Sequence, residues 1–116
     1  DVNMIVIRNR DRTEFNIDGL FDDLNVSITK SVPHIYEFMA KGSSKGDSLK
    51  TLSKHLGVKR EEILAVGNAL NDLEMLQFAG TGIAMKNSDP ELLDIWDNLS
   101  YYTNNEEGVY RIIKDI

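Results

Sequence analysis

A chain of 116 residues, 41% of them hydrophobic, is long enough for a domain with a real core and too apolar to be disordered throughout. Its net charge of −6 is spread along the sequence, which favours solubility and argues against a polyanionic partner such as nucleic acid. There is no cysteine, so disulfide and thiol chemistry are excluded, and no apolar run approaches the roughly 20 residues of a membrane-spanning helix, which makes a reducing, cytoplasmic setting the expectation.

The chain starts at Asp1-Val2-Asn3 with no basic and apolar leader and no initiator methionine, so neither a signal peptide nor an obvious natural start is expected. Met4 to Ile7 is a short apolar run suited to a buried strand, and Val26 to Thr29 and Ile35 to Phe38 are two more, separated by Ser31-Val32-Pro33-His34. Before the second run, Phe15, Leu20, Phe21 and Leu24 recur at roughly helical spacing, which predicts a helix within Thr13 to Leu24. Residues 1–38 therefore read as β-α-β-β.

From Lys45 the pattern becomes regular. Leu49, Leu52 and Leu56 share one helical face, Ser43 or Ser44 can cap the start, and Gly57 can close the end in left-handed geometry. Ile63 to Val66 reads as a strand, Asp72 to Phe78 as a helix ended by Ala79-Gly80, and Gly82 to Met85 as a strand. Strand, helix and strand at this spacing predict parallel pairing through a right-handed crossover. Asp89-Pro90 predicts a helix start, with the aspartate as cap and Leu92, Leu93 and Trp96 as apolar positions. Tyr101 to Thr103 can form a short strand, and Glu107 to Ile116 a closing helix. Alternating helix and strand beyond residue 45 belongs to an open α/β sheet, whereas residues 1–38 look like a different, more antiparallel unit.

Two segments carry candidate chemistry. In Ala65-Val66-Gly67-Asn68-Ala69-Leu70-Asn71-Asp72 a strand runs through glycine into carbonyl-bearing side chains, at the end of a strand where open α/β sheets bind ligands. Asn68 and Asp72 can offer oxygen donors to a hard cation such as Mg²⁺; alternatively, Asp72 or Asn71 merely caps the next helix. In Lys41-Gly42-Ser43-Ser44-Lys45-Gly46 a lysine stands at a helix entrance, where backbone amides favour an anion, although an exposed lysine there can equally be a solvated surface charge. The spacing is not that of a P-loop. His34 and His55 lie in unrelated settings and read as structural or surface residues, and Ser27 and Ser31 lack a glycine-flanked nucleophile turn.

Three strings, Ser44-Lys45-Gly46-x-x-Leu49, Gly67-Asn68-x-x-Asn71-Asp72-x-x-Met75-Leu76 and Ala79-Gly80-x-Gly82-Ile83-Ala84-Met85-x-Asn87, together resemble the Cof-type phosphatases of the haloacid dehalogenase superfamily. The likeness continues through Tyr102-Thr103-Asn104-Asn105-Glu106-Glu107-Gly108-Val109 and covers residues 31–116, with residues 1–30 matching loosely as the end of the family's α/β cap. It implies the C-terminal portion of the cap over 1–38, then over 39–116 the C-terminal half of a Rossmann-like three-layer α/β core. The implied activity is Mg²⁺-dependent hydrolysis of small phosphorylated metabolites, such as sugar phosphates, through an aspartyl-phosphate. By the same resemblance Lys45 neutralises the transferred phosphoryl group, Asn71 positions it, Asn68 falls on a metal-ligand position, and Asp72 supports the metal site and catalysis.

Two departures qualify the likeness. Asn68 stands where the family has aspartate, and a neutral carboxamide offers a cation only a carbonyl oxygen, so metal affinity should be weakened. The family's D-x-D nucleophile is absent as well, since Asp11, Asp18, Asp22 and Asp23 do not follow an apolar strand in that pattern. The chain alone is therefore expected to be inactive. Its open sheet edge is expected to be covered by the missing N-terminal segment or by self-association. The alternative is a degenerate, non-catalytic binding or self-associating module.

Overall fold

In Ile35–Ala40, alternation puts Tyr36 and Phe38 on one face of a strand, and both are buried. The computed structural model describes residues 3–116; Asp1 and Val2, the first residues of the expected 1–38 unit, lie outside them. Strand β3 (Ile35–Ala40) is the centre of a three-stranded antiparallel sheet, flanked by β1 (Met4–Arg8) and β2 (Val26–Val32). Phe38 lies opposite Ile5 and Ile28, and Tyr36 opposite Ile7 and Lys30. Ser31, expected to interrupt the strand, is absorbed by a register shift between Lys30 and Val32, so β2 extends to Val32 and the turn narrows to Pro33-His34.

The expected helix over Thr13 to Leu24 does not form. The Asn16 side chain accepts the Asp18 N–H at 2.7 Å, Gly19 takes φ +77°, and Leu20 and Leu24 donate three residues back to Ile17 and Phe21. An Asx turn followed by a left-handed glycine breaks the i to i−4 ladder. What the helical spacing did register is a set of aromatics aimed at the sheet. The Phe15 ring meets Tyr36 edge-on at 5.0 Å and Phe21 meets Phe38 at 5.2 Å, with Ile17 buried among them. Tyr36 also donates its hydroxyl to the Phe15 carbonyl at 3.1 Å.

The chain divides into two compact units between Ser44 and Lys45. The second opens with α1 (Lys45–Leu56), closed by Val58 N–H to Ser53 O at 3.0 Å and Gly57 N–H to Lys54 O at 3.4 Å, with Gly57 at φ +68°. Then come β4 (Leu64–Gly67), α2 (Leu73–Phe78) and β5 (Thr81–Ala84), with β4 and β5 parallel from Leu64↔Thr81 to Gly67↔Ala84. Ala65, Leu76, Ala79, Ala84 and Leu92 are the buried core, with Ile63, Leu73, Met75 and Trp96 packed around it.

The face of α1 that meets α2 is not the leucine stripe. Gly46 and Ser53 are the buried residues of α1, while Leu52 and Leu56 are 52% and 62% exposed. A methyl group on Gly46 would come within 2.5 Å of Glu74 Cβ, so the helices approach too closely there for a larger side chain. Among the described residues the second edge of β4 has no strand partner.

Helix α3 (Pro90–Leu93) begins after Asp89 as expected, but the Asp89 side chain makes no capping bond; its carbonyl receives the N–H groups of Leu92 and Leu93 instead. The strand expected at Tyr101 to Thr103 is replaced by a single parallel bridge two residues earlier, Leu99 with Ala84. The Ser100 hydroxyl donates to the Tyr102 carbonyl at 2.5 Å and turns the chain before a ladder can grow. A 3₁₀ turn at Asn104–Glu106 leads through Glu107, at φ 59°, into α4 (Gly108–Lys114). Among the described residues no helix is long and apolar enough to cross a membrane.

Candidate functional site

The end of β4 and the start of α1 meet through one ion pair. Lys45 is the first residue of α1, and its Nζ lies 2.5 Å from Asp72 Oδ1. The lysine side chain is 54% exposed and the aspartate 4%, so a buried carboxylate anchors a cation that still faces solvent. An ammonium carries three N–H donors, which leaves two for an incoming anion.

Asp72 does not cap α2, for its side chain makes no capping bond there. It reaches back along its own turn, where Oδ2 accepts the Asn68 N–H at 2.8 Å and the Ala69 N–H at 3.3 Å. The turn from Gly67 to Asp72 is thereby closed on one carboxylate. Gly67 makes room for it: a Cβ at that position would lie 2.5 Å from Asp72 Cβ and 2.9 Å from Oδ2. Asn68 is exposed and Asn71 half-buried, and neither carboxamide has a hydrogen-bond partner among the described residues. The structure thus brings Lys45, Asn68, Asn71 and Asp72 onto one turn and one helix start.

As a magnesium site this donor set is incomplete. Both Asp72 oxygens already receive donors, Asn68 supplies one neutral carbonyl oxygen, and no group of three acidic, histidine or cysteine side chains gathers among the described residues. Octahedral magnesium would need further oxygens, from water, substrate or another part of the protein.

The turn also has supports that sequence reasoning did not identify. Met85 N–H donates to Gly67 O at 2.9 Å and Asp89 N–H to Asn68 O at 2.8 Å. Asp89 reads in the sequence only as a helix cap, and no local spacing signals a backbone bond to a residue so far upstream.

The sequence profile of the haloacid dehalogenase-like hydrolase family matches residues 2–113. The phosphatase YwpJ of Bacillus subtilis is 38% identical over 92 residues, covering 79% of this chain and 32% of that protein. The 5-amino-6-(5-phospho-D-ribitylamino)uracil phosphatase YitU of the same organism is 43% identical over 82 residues, covering 71% of this chain and 30% of that protein. Among solved structures, a haloacid dehalogenase-like hydrolase from B. subtilis superposes with a TM-score of 0.73 at 38% identity, over 79% of this chain and 32% of its own. The subclass IIB sugar phosphatase BT4131 gives a TM-score of 0.70 at 26% identity, over 78% of this chain and 35% of its own. The chain spans about a third of the length of the curated relatives it matches. Its α/β fold, its three sequence strings and a family match over nearly every residue agree: the chain belongs to the haloacid dehalogenase-like hydrolases.

Proposed function

We propose that the protein carrying this chain hydrolyses phosphoric monoesters of small metabolites, sugar phosphates among them. The observation that supports this most is Lys45 held on buried Asp72 at the carboxyl end of β4, beside the unengaged carboxamides of Asn68 and Asn71. In this reading a phosphoryl group receives the two spare N–H donors of Lys45 and is oriented by the Asn71 amide. Asp72 keeps the ammonium in place and closes the turn.

The attacking carboxylate, which would form an aspartyl-phosphate, comes from a part of the protein outside this chain. Asp11, Asp18, Asp22 and Asp23 belong to the first unit and follow no D-x-D pattern. This chain alone is then inactive, and the same missing part covers the open edge of β4. Magnesium is included in the proposal with Asn68 giving one oxygen and Asp72 acting through the turn it holds; when bound it would neutralise phosphate charge. A cytoplasmic location goes with a metabolite substrate.

Neutral Asn68 and the unpaired edge of β4 also favour a second reading, a non-catalytic module that binds phosphate or self-associates. The deciding experiment assays a generic phosphate ester with and without Mg²⁺, using the complete protein with Asn68 and with Asn68→Asp. Metal-dependent turnover lost in Lys45→Ala supports the hydrolase. No turnover in either form, with chain dimers in sedimentation, favours the module.

A further inference from the structure

Asn87 and Asn104 fall in the strings that carry the family resemblance, yet the proposed chemistry gives neither a task. Their surroundings do. The turn bearing Asn68 and Asn71 leans on residues 85–89, because its first two carbonyls are held by the Met85 and Asp89 amides at 2.9 and 2.8 Å. That backing segment closes on itself through Ser88 N–H to Met85 O at 2.9 Å. Within it the Ser88 hydroxyl is buried without a hydrogen-bond partner among the described residues. Groups outside the segment also hold it.

Two attachments do so. Lys86 N–H donates to Ser100 Oγ at 3.0 Å. Asn87 then makes a reciprocal pair: its Nδ2 donates to Asn104 Oδ1 at 2.7 Å, and its Oδ1 accepts the Asn104 N–H at 3.3 Å. A carboxamide that both donates to and accepts from one residue fixes orientation as well as distance. We propose that Asn87 and Asn104 form a clasp that positions the phosphoryl-site turn, acting through the Asp89 and Met85 amides on the Asn68 and Gly67 carbonyls. Both are positioning residues and touch no substrate. The assignment of the turn as a phosphoryl site rests on the proposed function; the clasp itself rests on the hydrogen bonds alone.

The test uses the complete protein with Asn87→Ala, Asn104→Ala, the double variant and Asn104→Asp. It reads amide hydrogen exchange at Asp89, inorganic phosphate affinity by calorimetry, and the urea midpoint. Each alanine variant should speed Asp89 exchange about tenfold and weaken phosphate binding about 3- to 10-fold. The double variant should be no worse than the poorer single one, because one clasp is lost only once. Asn104→Asp should restore both readouts, since its carboxylate still accepts from Asn87 Nδ2. The urea midpoint should stay put, as both side chains are exposed. Unchanged Asp89 exchange, additive single effects, or an Asn104→Asp variant as impaired as Asn104→Ala would overturn the clasp. If the parent binds no phosphate, the phosphoryl-site reading falls, while Asp89 exchange still decides the clasp.

Discussion

Removing the Asp72 carboxylate tests whether one buried group both shapes the turn and anchors Lys45. In Asp72→Ala the Asn68 N–H loses a charged acceptor at 2.8 Å, worth about 1.5–3 kcal/mol. The Ala69 bond at 3.3 Å is long and adds roughly 0.5 kcal/mol. Lys45 is 54% exposed and rehydrates when its partner goes, so the ion pair contributes about 0–1 kcal/mol. The expected loss is about 2–4 kcal/mol. Asp72→Asn keeps one acceptor oxygen and should lose about 1–2 kcal/mol, and Lys45→Ala less than about 1 kcal/mol. Urea unfolding of the complete protein measures all three, read from midpoints at constant slope. If Lys45→Ala cost as much as Asp72→Ala, the carboxylate would be a counter-ion only and the turn-closing role would be refuted.

Gly67→Ala pushes a methyl group to 2.5 Å from Asp72 Cβ, so stability should fall by about 1–3 kcal/mol and phosphate binding with it, both measured on the same sample. Tyr36→Phe keeps the edge-on contact with Phe15 but removes the 3.1 Å bond to its carbonyl, and urea unfolding should show a loss of about 1 kcal/mol. Glu106 is held below its usual value of 4.5, chiefly by the Thr103 backbone N–H and then by the Thr103 hydroxyl. A lowered carboxylate contributes stability above its unfolded-state value and loses it as pH falls through the folded-state value. Protection of the Thr103 amide from exchange should therefore persist at neutral pH and fall only below pH 4.5, whereas in Glu106→Ala it should be low throughout.

How much of this was legible depended on whether the signal was local. Helix α1, strands β4 and β5 and the Asp89-Pro90 start were readable because a hydrophobic period, a left-handed glycine or a proline specifies each within a few residues. The stretch from Thr13 to Leu24 misled because Phe15, Phe21 and the leucines match a helical period, while the Asn16 side chain and Gly19 dictate turns. The leucine spacing placed α1 as a helix with Leu49, Leu52 and Leu56 on one face, but which face meets α2 is decided by the close contact of Gly46 with Glu74, which joins residues in different elements. The residue pattern offered Asn68 and Asp72 as cation donors and Lys45 as an anion holder while leaving capping open for Asn71 or Asp72, and resemblance added the role of Asn71 and the part each residue plays. Only coordinates give Asp72 its three donors and show the Asp89 amide on Asn68.

The charge of the site determines how it should treat a cation. Lys45 and Asp72 cancel and Asn68 adds nothing, so an arriving phosphate dianion meets no net charge from these side chains. Asn68→Asp would place a carboxylate on that exposed turn. At a separation of roughly 5 Å, a single negative charge repels a dianion by about 1.7 kcal/mol even at the dielectric constant of water. Without divalent cations the variant should therefore bind inorganic phosphate about tenfold or more weakly than the parent. With excess Mg²⁺ the order should reverse, since the carboxylate recruits a cation that the neutral carboxamide holds poorly. Calorimetry of both forms in chelator and in Mg²⁺ reads this directly, with no turnover needed. A parent whose phosphate affinity rises with Mg²⁺ as steeply as the variant's would mean that other parts of the protein supply the cation's charge, and that position 68 does not set the metal dependence.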